Sequence, residues 1–264
     1  MDLVELPDRP VTRHPWEEAR FRFFHRLLEA GVDLSAVRTV LDVGAGDAWF
    51  ASQLAARTSA PQIVCWDTGY TPDVLASSEL RDRKGLQLVV DRPRTSFDLI
   101  LLLDVLEHVA DDRQLLGTLV RENLSAGGCA LISVPAWPLL FSSHDVRLHH
   151  ERRYTPAAAR SLIRSAGLEI VRSAGLFHSL IPPRALQVAR ERVTGQSEPP
   201  PDVGQWHAPA VVTALVRGVL ECDSRLALLE SKVGWSLPGL SWWAFCRRSA
   251  HAGSSGPADR VRTL

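Results

Sequence analysis

The sequence predicts an α/β fold: a largely parallel sheet with helices on both faces and a helical insertion before the last strand. Three observations lead there. Apolar runs such as VRTVLDV and FDLILLL are continuous rather than alternating, the mark of strands buried on both faces. Helical spacings lie between them, and that alternation builds a parallel sheet. The first strand then runs into LDVGAGDAWF, a glycine turn flanked by acids, at the strand end where such sheets bind ligands. With 264 residues the chain can bury one substantial core and a smaller subdomain.

HPWEEARFRFFHRLLEA (14–30) reads as an amphipathic helix stopped by Gly31, so residues 1–35 are expected to form an N-terminal helical cap. VRTVLDV (37–43) suits the first buried strand, and DAWFASQLAAR (47–57) returns to helical spacing. QIVCWD (62–67) is the second strand; TPDVLASSEL (71–80) is a short helix with Pro72 in its first turn. LQLVV (86–90) and FDLILLL (97–103) are further strands. VADDRQLLGTLVRENL (109–124) is helical, SAGG turns, and CALISVP (129–135) is a strand. TPAAARSLIRSAG (155–167) is fully punctuated, with Thr155 to cap it, Pro156 at the first helical position and Gly167 to end it. LEIVRSAGLFH (168–178) completes a core of residues 36–178. A helical insertion, or lid, is expected over 179–240, with a short apolar-and-basic helix at 179–193, a loop and a long helix at 208–230. Residues 241–248 return to strand character, and 249–264 read as a flexible tail.

Lys plus Arg and Asp plus Glu are 30 each, so the formal net charge is zero, and the 28 arginines are scattered. No basic run marks a nucleic-acid footprint, and nucleic acid is not an expected partner. The four cysteines lack CxxC spacing and read as free thiols in a reducing compartment. The N-terminus has no apolar signal core and no segment reaches about eighteen apolar residues, so the expected location is cytoplasmic.

Gly44 and Gly46 let the backbone pass close to a ligand. The turn lacks the spacing and the Lys-Ser/Thr pair of a phosphate-cradling loop, which argues against ATP or GTP. Asp67, ending the second strand, is placed to accept hydrogen bonds from ribose hydroxyls, a role that would also suit a dinucleotide. Asp42, Asp47 and Asp67, however, crowd the place of a pyrophosphate. A cofactor with positive charge and no phosphate fits them better. An NAD-dependent oxidoreductase and a non-catalytic protein that keeps the cofactor fold are the competing readings.

In their order, DVGAGDAWF, the strand ending in Asp67, FDLILLLDVLEHV and LSAGGCALISVPAW resemble the successive motifs of class I S-adenosylmethionine-dependent methyltransferases, over residues 36–172. The resemblance implies a Rossmann-like mixed sheet of seven strands, the last inserted antiparallel, with S-adenosylmethionine lying across residues 42–47. It implies that Asp42 and Gly44 border the methionyl part, Gly46 lies under the sugar and Asp67 holds the ribose. Asp91 would meet the adenine amino group, and Asp104 with Val105 would open the loop beneath the reacting methyl. Ala48 stands where many members of that family have a third glycine.

Methyl transfer from a sulfonium is an in-line displacement, which needs an aligned acceptor and, for a hydroxyl, somewhere for its proton to go. DVLEH sets Asp104, Glu107 and His108 at the mouth of the sheet. WPLLFSSHDVRLHHERRYT (137–155) is too polar for core and too long for a plain turn, and is the best substrate-loop segment. SSHDVRLHHERRYT is also similar to a subgroup of bacterial methyltransferases that act on glycans, lipid-linked intermediates or secondary metabolites. The catalytic candidates are His144, Asp145 and His149, with His144 as general base oriented by Asp145 or Glu107. The alternative has His144 and Asp145 capping the loop while Arg153 pairs with Glu107. His108, Trp137, Arg153 and Tyr154 are the candidate substrate contacts.

Asp104, Glu107 and His108, with His144 or His149, would offer donors to a divalent ion, but the same local pattern is common in relatives without metal, and none is expected. The expected activity is methyl transfer, on oxygen first and on nitrogen or carbon as alternatives, to a small-molecule, glycan or amphipathic lipid-linked acceptor. LFHSLIPPRALQVAR interleaves Leu180, Ile181, Leu186 and Val188 with Arg184 and Arg190, and is expected to roof the site, with Trp206 adding aromatic surface. A dimer contact or a weak membrane-surface contact are its other roles. Monomer and homodimer both remain open.

Overall fold

The computed structural model describes residues 13–58, 62–76, 85–195, 206 and 208–249. Its strands are β1 (Thr39–Val43), β2 (Gln62–Trp66), β3 (Leu86–Val89), β4 (Phe97–Leu103), β5 (Leu124–Pro135), β6 (Leu168–Leu176) and β7 (Ser241–Arg248). They form one seven-stranded sheet in the order β3-β2-β1-β4-β5-β7-β6. Pairing is parallel from β3 through β5, and β7 lies antiparallel between β5 and β6. Strand order reverses between β1 and β4, so a crevice opens at their carboxyl ends.

The helices are α1 (Pro15–Gly31), α2 (Trp49–Ala55), α3 (Pro72–Ala76), α4 (Asp112–Thr118), α5 (Ser143–Arg147), α6 (Pro156–Ser165), α7 (Ile181–Thr194) and α8 (Ala210–Val233). Two apolar cores result, one on each face of the sheet, because successive strand side chains point to opposite faces. Leu99 and Leu101 of β4 join Phe23, Phe24 and Leu27 of α1 on one face. Ile100 and Leu102 join Leu116 and Ile163 on the other. Trp242 and Trp243 of β7 divide between the two in the same way.

Four local features differ from the sequence reading, each for a physical reason. Ala48 is left-handed at φ 54, so α2 starts at Trp49 rather than Asp47. The predicted helix 109–124 is α4 followed by a π-type turn, Leu119–Asn123. SAGG does not leave the sheet: Phe97 pairs with Leu124 and Leu99 with Cys129, and the extra residues bulge within β5 around Gly127 at φ 77. The substrate-loop segment contains the short helix α5, which no periodicity announced. Residues 77–80 of the third predicted helix, residues 196–205 and 207 of the predicted loop GQSEPPPDVGQWHAP (195–209), and the tail from 250 lie outside the described residues. Among those residues no helix is long and apolar enough to cross a membrane.

The carboxyl edge of the sheet is where the backbone is least relaxed. Gly44 after β1, Asp104 after β4, Trp137 shortly after β5 and Phe177 after β6 all have positive φ, between 60 and 65°. For the three that are not glycine this conformation costs about 1–2 kcal/mol each. Strain is stored where the strands hand over to the site.

Candidate active site

The glycine turn is built against its neighbours. A Cβ on Gly44 would stand 2.9 Å from Val105 Cγ2, and φ there is +62°, so only a bare backbone fits between β1 and the start of the β4 exit. Gly44 N donates to the Trp66 carbonyl at 2.7 Å, pinning the turn to the end of β2. Asp67 stands beside it. Its Oδ2 accepts from Gly46 N at 2.9 Å and its Oδ1 from Gly69 N at 2.8 Å. Each oxygen retains a second lone pair, so the carboxylate is both fixed and able to accept from a diol.

Asp42 is 3 % exposed, and burial pushes its carboxyl up to about 7; the charge of Asp67 adds to the shift and Arg20 opposes it. Asp47 is buried, with Arg13 on one oxygen and Trp49 N 3.3 Å from the other. Asp104 holds Arg20 Nη2 at 2.8 Å and accepts from Ser133 Oγ at 2.9 Å. The acids around the turn are thus partly balanced by Arg13 and Arg20, which the sequence reading missed. The signal was there: Arg13, two residues before α1, and Glu17 and Arg20 within it recur at helical spacing, and the two arginines reach Asp47 and Asp104. Asp91 is exposed just past β3, next to Val90, whose carbonyl accepts the Trp66 indole N–H at 3.0 Å.

The loop after β5 is organised around Asp145, which is fully buried. It accepts from Ser142 N at 2.9 Å, from Arg153 Nε and Arg184 Nη2 at 2.7 Å each, and from His150 Nδ1 at 2.9 Å. This bears on three expectations. Asp145 meets His150 rather than His144, and the capping role that the alternative reading gave Asp145 is seen in the capping box of α5. Arg153 pairs with Asp145 rather than with Glu107, and its Nη1 donates to the Ala136 carbonyl at 3.1 Å. Tyr154 is 5 % exposed, its hydroxyl 3.0 Å from the Leu106 carbonyl and 2.6 Å from Asp112 Oδ2. Its hydroxyl supports the β4 exit turn through that carbonyl.

His144 is half-buried; burial first and Arg184 second pull its imidazole down to about 4, so it is neutral at pH 7. His149 is exposed, left-handed at φ 57, and lies just past the end of α5. His108 stands edge-on to His150 with ring centroids 4.7 Å apart. Trp137 gives its indole N–H to the Gly239 carbonyl at 2.9 Å and lines a cavity of about 230 Å³ with Arg160, Leu237 and Trp242.

Helix α7 docks on this loop by polar contacts, and its Val188 is buried. Arg184 reaches Asp145, Glu191 accepts from Ser143 N at 3.1 Å and Oγ at 2.9 Å, and Arg192 donates to the Leu139 carbonyl at 2.8 Å. Leu186 is 70 % exposed and faces away. Trp206 sits edge-on to His14 at 4.6 Å and donates to Thr213 Oγ1, which places it with the start of α1.

A family model described as a methyltransferase domain matches residues 15–173, from the first turn of α1 into β6, including the glycine turn, Asp67, the β4 exit and the Asp145 loop. This chain belongs to the methyltransferase-domain family. A relative in Mycolicibacterium smegmatis is named as a probable S-adenosylmethionine-dependent methyltransferase. That relative is 28% identical over 146 residues, which are 54% of this chain and 56% of the relative, so the chain spans little more than half its length. The NAD-dependent reading is set aside. Among solved structures, the methyltransferase in complex with the Haloferax volcanii Trm112 activator aligns with a TM-score of 0.54 at 18% identity, covering 89% of this chain and 92% of that one. The [4+2]-cyclase SpnF aligns at 0.52 and 16%, covering 91% and 84%. At these identities the two show the fold alone.

Proposed function

We propose that this methyltransferase domain places a methyl group on an oxygen of a small-molecule, glycan or amphipathic acceptor held under the 137–155 loop. The observation that supports the cofactor side most is the Asp67 carboxylate, fixed by Gly46 N and Gly69 N beside a turn too tight for a Cβ. In this reading Asp67 takes the ribose diol, Asp91 the adenine amino group, and Asp42 the methionyl ammonium, whose charge would favour ionising a carboxyl that burial otherwise disfavours. Arg20 takes the methionyl carboxylate, and Asp104 with Val105 supports the turn at the reacting end. The cofactor, when bound, supplies a methyl on a positively charged sulfur.

The chain's own part is to align the acceptor, exclude water and receive a proton. His144 is the side chain proposed for the last task. An imidazole held near 4 is a weak base, and it takes a proton from an acidic hydroxyl, a phenol or an enol, more readily than from an alcohol. That favours phenolic or enolic acceptors within the oxygen class.

The test is transfer of an isotope-labelled methyl from S-adenosylmethionine to a panel of phenols, glycans, lipid-linked sugars and amines, with products read by mass spectrometry. Labelled methyl ethers are expected. Label on amines alone overturns the oxygen assignment. With the acceptor in hand, His144→Gln is expected to lower the single-turnover rate by about 10²–10⁴-fold. A rate within a few-fold of the parent returns His144 to supporting the loop.

A further inference from the structure

We propose that Glu107, His108 and His150 form a binding site for a first-row divalent cation of the zinc, cobalt or iron(II) kind. One ligand atom from each residue lies within 4.8 Å of the other two. The fold assembles them from two segments: Glu107 and His108 lie in the single 3-10 turn Leu106–His108 after β4, and His150 lies three residues past the end of α5. A backbone bond from Glu151 N to the Glu107 carbonyl, 2.7 Å, clips the segments together beside the cluster.

Three observations point to a ligand there. Glu107 is fully buried, and neither carboxylate oxygen has a hydrogen-bond partner. A carboxyl in that position is ordinarily paired or on a metal, because burying it without a donor is costly. Next, the guanidinium of Arg153 in this loop and that of Arg184 from α7 are drawn onto Asp145, so they do not serve as hydrogen-bond partners of Glu107. Finally, His150 Nδ1 lies 2.9 Å from Asp145 Oδ1, which leaves Nε2 as the ring nitrogen for a ligand. A carboxylate behind the imidazole is the support that metal-bound histidines commonly have, fixing tautomer and ring orientation.

The donor set decides the metal class. One carboxylate oxygen with two imidazole nitrogens suits zinc, cobalt or iron(II) and is poor for calcium or magnesium, which take oxygen. Three protein ligands leave coordination positions open to water or to an acceptor oxygen. His144 and His149, the histidines that the sequence pattern suggested for such a set, are not in the cluster, and Asp104 is ion-paired with Arg20.

The site can be tested with no cofactor or acceptor present, so its failure is distinct from failure of the methyl-transfer reading. Tag-free protein is stripped with a chelator and titrated with Co²⁺ and with Zn²⁺, following visible ligand-field absorption and competition against a chromophoric chelator. One equivalent is expected, weakened about tenfold or more in E107Q and in H150A and unchanged in H149A. Circular dichroism checks that each variant is folded. If H150A is not, H150Q replaces it, because its amide can still donate to Asp145 while the imidazole is gone. Failure of the folded parent to bind either ion overturns the site, as does binding that survives both E107Q and the folded His150 variant.

Discussion

Asp42, Asp47, Asp67 and Asp104 share one sheet edge, and each meets its charge differently. Asp47 and Asp104 are held by arginines, Asp67 by backbone amides, and Asp42 by neither, so burial dominates it. Its carboxyl titrates near 7 in the folded chain against an ordinary value of 3.8. The folded state therefore binds this proton more tightly than the unfolded one. Below about pH 4 both states are protonated and nothing is lost; between about 4 and 7 stability falls, and above 7 the loss is constant. Asp42→Asn should remove this dependence, so urea unfolding should show the parent losing about 2–4 kcal/mol relative to the variant across that window. Parallel stability profiles would show that Asp42 is not penalised by burial. Asp67→Ala is expected to cost roughly 1.5–3 kcal/mol of S-adenosylhomocysteine binding, about 10- to 150-fold, by calorimetry. Unchanged affinity in the folded variant would remove Asp67 from the cofactor site.

Helices α5 and α7 depend on tertiary charge pairing more than on propensity. α5 is five residues long, too short to hold itself, and exists because Ser142 and Asp145 cap it while Arg153, Arg184 and His150 converge on the same carboxylate. Burial pushes the Asp145 carboxyl up, but the His150 hydrogen bond and the charges of Arg153 and Arg184 outweigh it and hold it well below the usual carboxylate range. Asp145→Asn would leave two nearly buried guanidiniums facing a neutral amide. It should cost roughly 3–5 kcal/mol in chemical denaturation, the scale for breaking a buried pair from one side. A loss under about 1 kcal/mol would mean that water screens the cluster. Contrast α6, whose Thr155 accepts from Ala158 N at 3.1 Å and whose Pro156 opens the first turn: its ends were plain in the sequence because its stop and start signals are local.

Across the whole molecule, the two faces of the sheet are sealed by alternate residues of the same strands, and β7 joins them from the far end of the chain. Helices α1 and α8 are tied over one face by Arg26–Glu221 at 2.6 Å and Arg217–Glu18 at 3.0 Å. A ligand bound at the β1–β4 edge contacts segments contributed by both cores, so occupancy should stabilise the fold as a unit. At about 100 times its dissociation constant S-adenosylhomocysteine should add about 2.7 kcal/mol and raise Tm by about 5–10 °C in calorimetric melting. NAD at the same concentration should leave Tm in place; equal shifts from both would contradict the phosphate-free character of the turn.

What the sequence determined by itself is what short-range chemistry encodes. Continuous apolar strands and alternating helices required a covered parallel sheet. A glycine turn ending in Asp47, with Asp67 one strand later, pointed to a charged, phosphate-free cofactor. What only the tertiary structure decided is which polar side chains share a partner. HDVRLHHERRYT offered eight charged or imidazole groups, and only the docking of α7 brought Arg184 onto Asp145, where His150, not His144, meets that carboxylate. Arg13 and Arg20 face the crevice only because α1 lies across the sheet edge, and Glu107 meets His150 only because β4 and the loop after β5 leave the sheet side by side. Pairing between charges depends on distances set by packing, and no local spacing in the chain contains them.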